Sequence, residues 1–78
     1  MISIKYFSSL REALKIEEEK IQFEGEVREL IELLCKRYKG ASDIIKNSKV
    51  AVNEAYVDER YIIKRGDRVA ILPPLGGG

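Results

Sequence analysis

One stretch limits what this chain can fold into more than any other: Val27, Leu30, Ile31, Leu34 and Tyr38 recur at i, i+3, i+4, i+7 and i+11, with Arg28, Glu29, Glu32 and Lys36 on the opposite side. That spacing predicts one amphipathic helix with a single apolar stripe. Glu26 and Glu29 lie near its start and Lys36, Arg37 and Lys39 near its end, which complements the helix dipole, and Gly40 is the expected C-cap. A chain of 78 residues, 45% hydrophobic and 35% charged, has one small core to which every regular element must contribute. A lone helix with one apolar stripe then needs a sheet to cover it.

The flanking segments supply that sheet. Ile2, Ile4 and Tyr6 alternate with Ser3 and Lys5, so three apolar side chains share one face of a first strand and Phe7 has the opposite parity. Ser8 to Leu14 reads as a short helical turn, with a Ser-x-x-Glu capping box from Ser9 to Glu12. Ile16 to Phe23 reads as a second strand at an edge, with Ile21 and Phe23 on one face and Glu17 to Glu19 a solvated charged stretch. Gly25 allows a turn into the helix. Ala41 to Asn47 is a connection that contributes Ile44 and Ile45 to the core, in another helical turn. Val50 and Val52 start a third strand, Asn53-Glu54 a tight turn, and Tyr56-Val57 further extended structure. Asp58 to Lys64 is a loop or short strand, Gly66-Asp67 a turn, and Val69 to Leu72 the last strand, stopped by Pro73 and Pro74. The fold class is α+β, one helix across one face of a mixed sheet of four to five strands, with Val69 and Ile71 facing the helix.

Composition excludes several kinds of function. Fourteen basic and thirteen acidic residues are mixed along the chain for a net charge of +1, which leaves no electrostatic footprint for nucleic acid. The single cysteine and the absence of histidine exclude an internal disulfide, a His/Cys zinc site and a histidine general base. Cys35, at the border of the helical stripe, reads as a small hydrophobe rather than a reactive thiol. The N-terminus alternates like a strand instead of showing a basic segment and a long apolar run, so a strand and not a signal peptide is expected there, and with the cysteine content a cytoplasmic chain with no membrane partner is expected.

Residues 1–78 thus read as a single domain with a flexible C-terminal tail, 73–78: Pro73-Pro74-Leu75-Gly76-Gly77-Gly78. Those six residues suit neither a helix nor a core. They also reach at most about 20 Å, enough to enter a partner protein. By parity Leu72 shares the outer face with Ala70; if the first and last strands are neighbours, Phe7 and Leu72 form an exposed apolar patch that Leu75 can join. A patch beside such a tail reads as a protein-docking surface.

The order and spacing of Phe7-x-x-Leu-Arg-Glu12, Val50-Ala-Val-Asn-Glu54, Gly66-Asp-Arg-Val-Ala70 and Leu72-Pro-Pro-Leu-Gly-Gly-Gly78 resemble the ubiquitin-like beta-grasp sulfur carriers, most closely small subunits of molybdopterin synthase. The resemblance implies a beta-grasp fold and a subunit that is not an enzyme on its own and binds no cofactor. It implies that a ubiquitin-activating-like adenylyltransferase uses ATP to adenylate the carboxyl of Gly78, which becomes a thiocarboxylate. It further implies a large synthase subunit that receives the tail, in a heterotetramer of two small and two large subunits, where the sulfur passes to a cyclic pyranopterin precursor in molybdenum cofactor biosynthesis.

Partner contacts are implied for Phe7, Arg11, Tyr56, Leu72, Pro73, Pro74, Leu75 and Gly76, with Gly77 beside the reacting carbonyl. Residues without a β-carbon suit a carbonyl attacked in a narrow channel. Two other readings use the same glycine: a ubiquitin-like modifier joined to lysines through Gly78, and a sulfur carrier for thiamine, tRNA thiolation or cysteine synthesis. The tail alone does not separate them.

Overall fold

The helical stripe and the alternating strands meet as expected. In the computed structural model residues 1–74 are described, and the elements run β1 (Ile2–Tyr6), α1 (Ser8–Leu14), β2 (Glu18–Ile21), β3 (Gly25–Glu26), α2 (Val27–Arg37), a 3-10 turn (Lys39–Ala41), α3 (Ser42–Lys46), β4 (Lys49–Val52), β5 (Ala55–Val57), β6 (Ile62–Ile63) and β7 (Arg68–Leu72). Five strands form one mixed sheet in the order β2-β1-β7-β4-β5, with β1 and β7 parallel at its centre and the other pairs antiparallel. This is the beta-grasp arrangement, with α2 across one face.

Period-two burial selects the inner face. Ile2, Ile4 and Tyr6 of β1, Val69 and Ile71 of β7, and Val50 and Val52 of β4 are all buried against Val27, Leu30 and Leu34 of α2. Leu10 from α1 and Ile45 from α3 close the ends of that core. Each large aliphatic side chain so buried contributes roughly 1.5–3 kcal/mol relative to exposure.

The beginning of α2 combines several constraints. Gly25 has φ +146, and a β-carbon there would lie 2.7 Å from Glu29 Oε1, the oxygen that accepts from the Glu26 amide at 2.8 Å. First-turn amides have no intrahelical acceptor. Here the Val27 and Arg28 amides donate to the carbonyls of Tyr61 and Glu59, each at 2.9 Å. That anchor explains why β6 pairs with β3 in a separate two-stranded ladder rather than joining the main sheet.

Four sequence expectations are corrected. Gly40 is not the C-cap of α2: Tyr38, with φ −123, holds that position, and Gly40 lies inside the 3-10 turn. The chain runs directly into further helical turns, so the terminal carbonyls find acceptor roles there, as when Ala41 N–H donates to Tyr38 O at 2.9 Å. The Ser9–Glu12 box does not form either. Helix α1 spans Ser8–Leu14 as expected, but its cap is an extended Phe7, two residues before Ser9, whose carbonyl accepts from the Leu10 and Arg11 amides.

Glu19 is the third correction. It belongs to the inner face, where its carboxylate accepts from the Tyr6 hydroxyl and, at 2.7 Å, from the Tyr38 hydroxyl, with Arg37 Nη1 at 3.6 Å. The two rings meet edge to face with centroids 6.3 Å apart. Burial foremost, then the hydrogen bond to Glu19, raises both tyrosine pKa values above their ordinary range. The fourth concerns Pro73, which is buried, so the stretch that buries nothing does not begin there.

Candidate functional site

The parallel pairing of β1 with β7 builds the proposed patch. Tyr6 pairs with Ile71, both turned inward, so the next residue on each strand, Phe7 and Leu72, lies on the outer face. β4 adds Lys49 opposite Leu72 and Ala51 opposite Ala70, and β5 adds Tyr56 opposite Ala51. The small side chains of Ala51 and Ala70 keep the middle of this face low.

The result is a concavity of about 430 Å³ lined by Phe7, Ser8, Asn47, Lys49, Tyr56, Leu72, Pro73 and Pro74. Phe7 and Leu72 are half-buried, Pro74 is exposed, and Tyr56 is 70% exposed, an unusual position for an aromatic ring with no function. Lysine ammonium groups stand over both rings: Lys5 Nζ is 5.6 Å from the Phe7 centroid and Lys49 Nζ is 5.7 Å from that of Tyr56. Such cation–π contacts are worth about 0.5–1 kcal/mol when exposed.

Of the residues singled out in the sequence, Phe7, Tyr56, Leu72, Pro73 and Pro74 thus come together. Arg11 does not line this concavity; it is exposed on α1 and forms no ion pair among the described residues. Leu75, Gly76, Gly77 and Gly78 lie outside the described residues. Sequence reasoning missed the lining residues Ser8, Asn47 and Lys49, and Lys5, which stands over the Phe7 ring. The parity that placed Phe7 and Leu72 outward also places Lys5 and Lys49, and it was available from the same alternation.

Among the described residues no cluster of histidine, cysteine, aspartate or glutamate has the makings of a metal site. No helix there is long and apolar enough to cross a membrane. What the concavity offers is shape and apolar area beside the exit of the chain from β7, which suits docking of another protein.

Known proteins resemble this chain over its whole length. The model of the ThiS family matches residues 4–78. The molybdopterin synthase sulfur carrier subunit of Drosophila yakuba is 35% identical over 82 aligned positions, covering 99% of this chain and 90% of that protein. A Pyrococcus furiosus protein provisionally named molybdopterin converting factor, subunit 1, superposes with a TM-score of 0.81 at 31% identity, covering 95% of this chain and 97% of its own. A chain in the complex of subunits 1 and 2 of the molybdopterin-converting factor from Helicobacter pylori has a TM-score of 0.71 at 23% identity, covering 99% and 97%, and shows the fold alone.

Proposed function

The chain belongs to the ThiS family, and we propose that it is the sulfur carrier subunit of a molybdopterin synthase. The observation that carries this reading is the 35% identity, across nearly the full length, to a carrier subunit of that name. The concavity at Phe7, Tyr56 and Leu72 supports it, because a carrier must be held by a partner while its terminus reacts elsewhere.

The chemistry belongs to Gly78. An adenylyltransferase of the ubiquitin-activating type joins the Gly78 carboxylate oxygen to the α-phosphorus of ATP, and pyrophosphate leaves. Hydrosulfide from a sulfur donor then attacks the acyl carbon, the bond to oxygen breaks, AMP leaves with that oxygen, and the sulfur gives up its proton. The resulting thiocarboxylate enters the large synthase subunit, where its sulfur bonds to a carbon of a pyranopterin precursor; water then hydrolyses the acyl–sulfur bond, which leaves the sulfur on the precursor and restores the carboxylate. In this scheme the small subunit contributes no acid, base or metal; it supplies an activated terminus and the surface that delivers it. Two small and two large subunits complete the assembly.

Glycines 76 to 78 let the terminus thread a narrow passage, at a cost in chain entropy that docking of the Phe7–Leu72 surface offsets. Deleting Gly78 tests the proposal. The shortened chain is expected to keep its unfolding midpoint and lose sulfur transfer to the precursor; transfer at the wild-type rate rejects it. Lysine-linked adducts of the intact protein in cell extracts support a modifier instead.

A further inference from the structure

We propose that the partner surface which covers this docking face is rich in carboxylates, and that the cations of the whole outer sheet face, not the apolar patch alone, select it. The inference rests on the carrier reading only in taking the large synthase subunit as that partner.

Four cations occupy outward positions on four adjacent strands: Lys20 on β2, Lys5 on β1, Arg68 on β7 and Lys49 on β4. The register sets Lys20 and Arg68 on either side of Ser3, in one row across the sheet. Lys49 lies at the other end of the face, opposite Leu72. Two acidic residues share this surface, Glu18 opposite Lys5 and Glu54 in the β4–β5 turn, 3.9 Å from Arg68. The chain has 14 basic and 13 acidic residues in all, so the remainder of the molecule holds ten and eleven, and the positive excess is local to this face.

The cations also cannot be separated from the patch. A second depression, about 330 Å³, is lined by Lys5, Glu18, Glu54 and Arg68 and shares Phe7 with the apolar concavity. Lys5 and Lys49 stand over the two aromatic rings that a partner has to cover. Covering those rings strips water from two ammonium groups, which is unfavourable unless the partner brings acceptors to the same places. An apolar partner surface without carboxylates around its rim is therefore selected against.

The test titrates the full-length chain against the large subunit from the same cell, at about 0.05 M and about 0.5 M salt. Wild-type affinity is expected to fall at least about tenfold with salt, chiefly through slower association. The pair Lys20→Glu with Arg68→Glu, neither of which lines the apolar concavity itself, is expected to lower low-salt affinity by about tenfold and to keep the wild-type unfolding midpoint. Lys20→Gln with Arg68→Gln replaces it if reversal disturbs folding, with a smaller loss in the same direction. Affinity indifferent to both salt and substitution overturns the inference; if Phe7→Asp still abolishes binding in that case, the carrier reading and its platform stand. A wild-type chain that binds no large subunit at either salt overturns both. Tighter binding of a single-stranded RNA oligomer than of the large subunit overturns it as well, by assigning the cations to phosphate.

Discussion

The two faces of the five-stranded sheet are made from alternate residues of the same strands and have opposite fates. Along β1, Ile2, Ile4 and Tyr6 are 1%, 0% and 0% exposed, whereas Lys5 between them is open to solvent and Phe7 beyond them is half-buried. Along β7, Val69 and Ile71 point to α2, and Ala70 and Leu72 point away. Stability therefore lives on one parity, and the surface proposed for recognition on the other. A shift of one residue changes the kind of effect a substitution has, not merely its size.

The largest expected effect on stability is at the centre of the inner face. Ile4→Ala removes a fully buried side chain packed at the middle of the sheet and is expected to cost roughly 2–5 kcal/mol in urea unfolding. A cost below about 1 kcal/mol, typical of surface changes, breaks the distinction between the faces.

Next comes Glu19, a carboxylate on the inner side. Glu19→Ala leaves the Tyr6 and Tyr38 hydroxyls without their acceptor and is expected to cost about 1–3 kcal/mol. The same pair gives the inner face a pH signature. Both tyrosine pKa values are raised in the folded chain, first by burial and then by Glu19. Above the ordinary value of about 10, the unfolded chain loses these protons while the folded chain retains them, so stability falls as pH rises through that point. Below it the contribution is fully present. Urea midpoints measured from about pH 8 to about pH 11 are expected to decline only at the alkaline end, and less steeply in Tyr6→Phe; an equal decline in that variant assigns the slope to other groups.

The smallest stability effect belongs to the outer face. Tyr56→Ala is expected to move the unfolding free energy by no more than about 0.5 kcal/mol, while weakening binding to the large subunit by about tenfold or more. Stability loss with unchanged binding would place Tyr56 on the wrong side of the comparison.

The two-face design was largely legible in the sequence, because period two and period 3.6 are both carried by large aliphatic side chains. Ile2, Ile4 and Tyr6, and the stripe from Val27 to Tyr38, needed nothing further. Asn53-Glu54 was readable as a tight turn for a local reason: φ of 51 and 72 there demands residues that tolerate the left-handed region. Glu19 was hidden by its neighbours. Three consecutive glutamates look uniform, although the inward Ile21 implies an inward residue two places earlier, and Tyr38 supplied the hydroxyl to meet it. Strand β6 has two residues and therefore no period to read; its place follows from the unpaired amides at the start of α2. The burial of Pro73 comes from the strand before it, not from any pattern of its own.

For the functional half the physical signals stop at a docking surface beside a glycine-rich terminus. That the cargo is sulfur is carried by kinship. The most direct measurement is the intact mass of the purified full-length chain after incubation with the adenylyltransferase, ATP and a sulfur donor. The carrier reading predicts a product in which one oxygen of the C-terminal carboxyl is replaced by sulfur, localised to Gly78 by fragmentation and absent without ATP. An unchanged mass under conditions in which a known carrier is converted would contradict it.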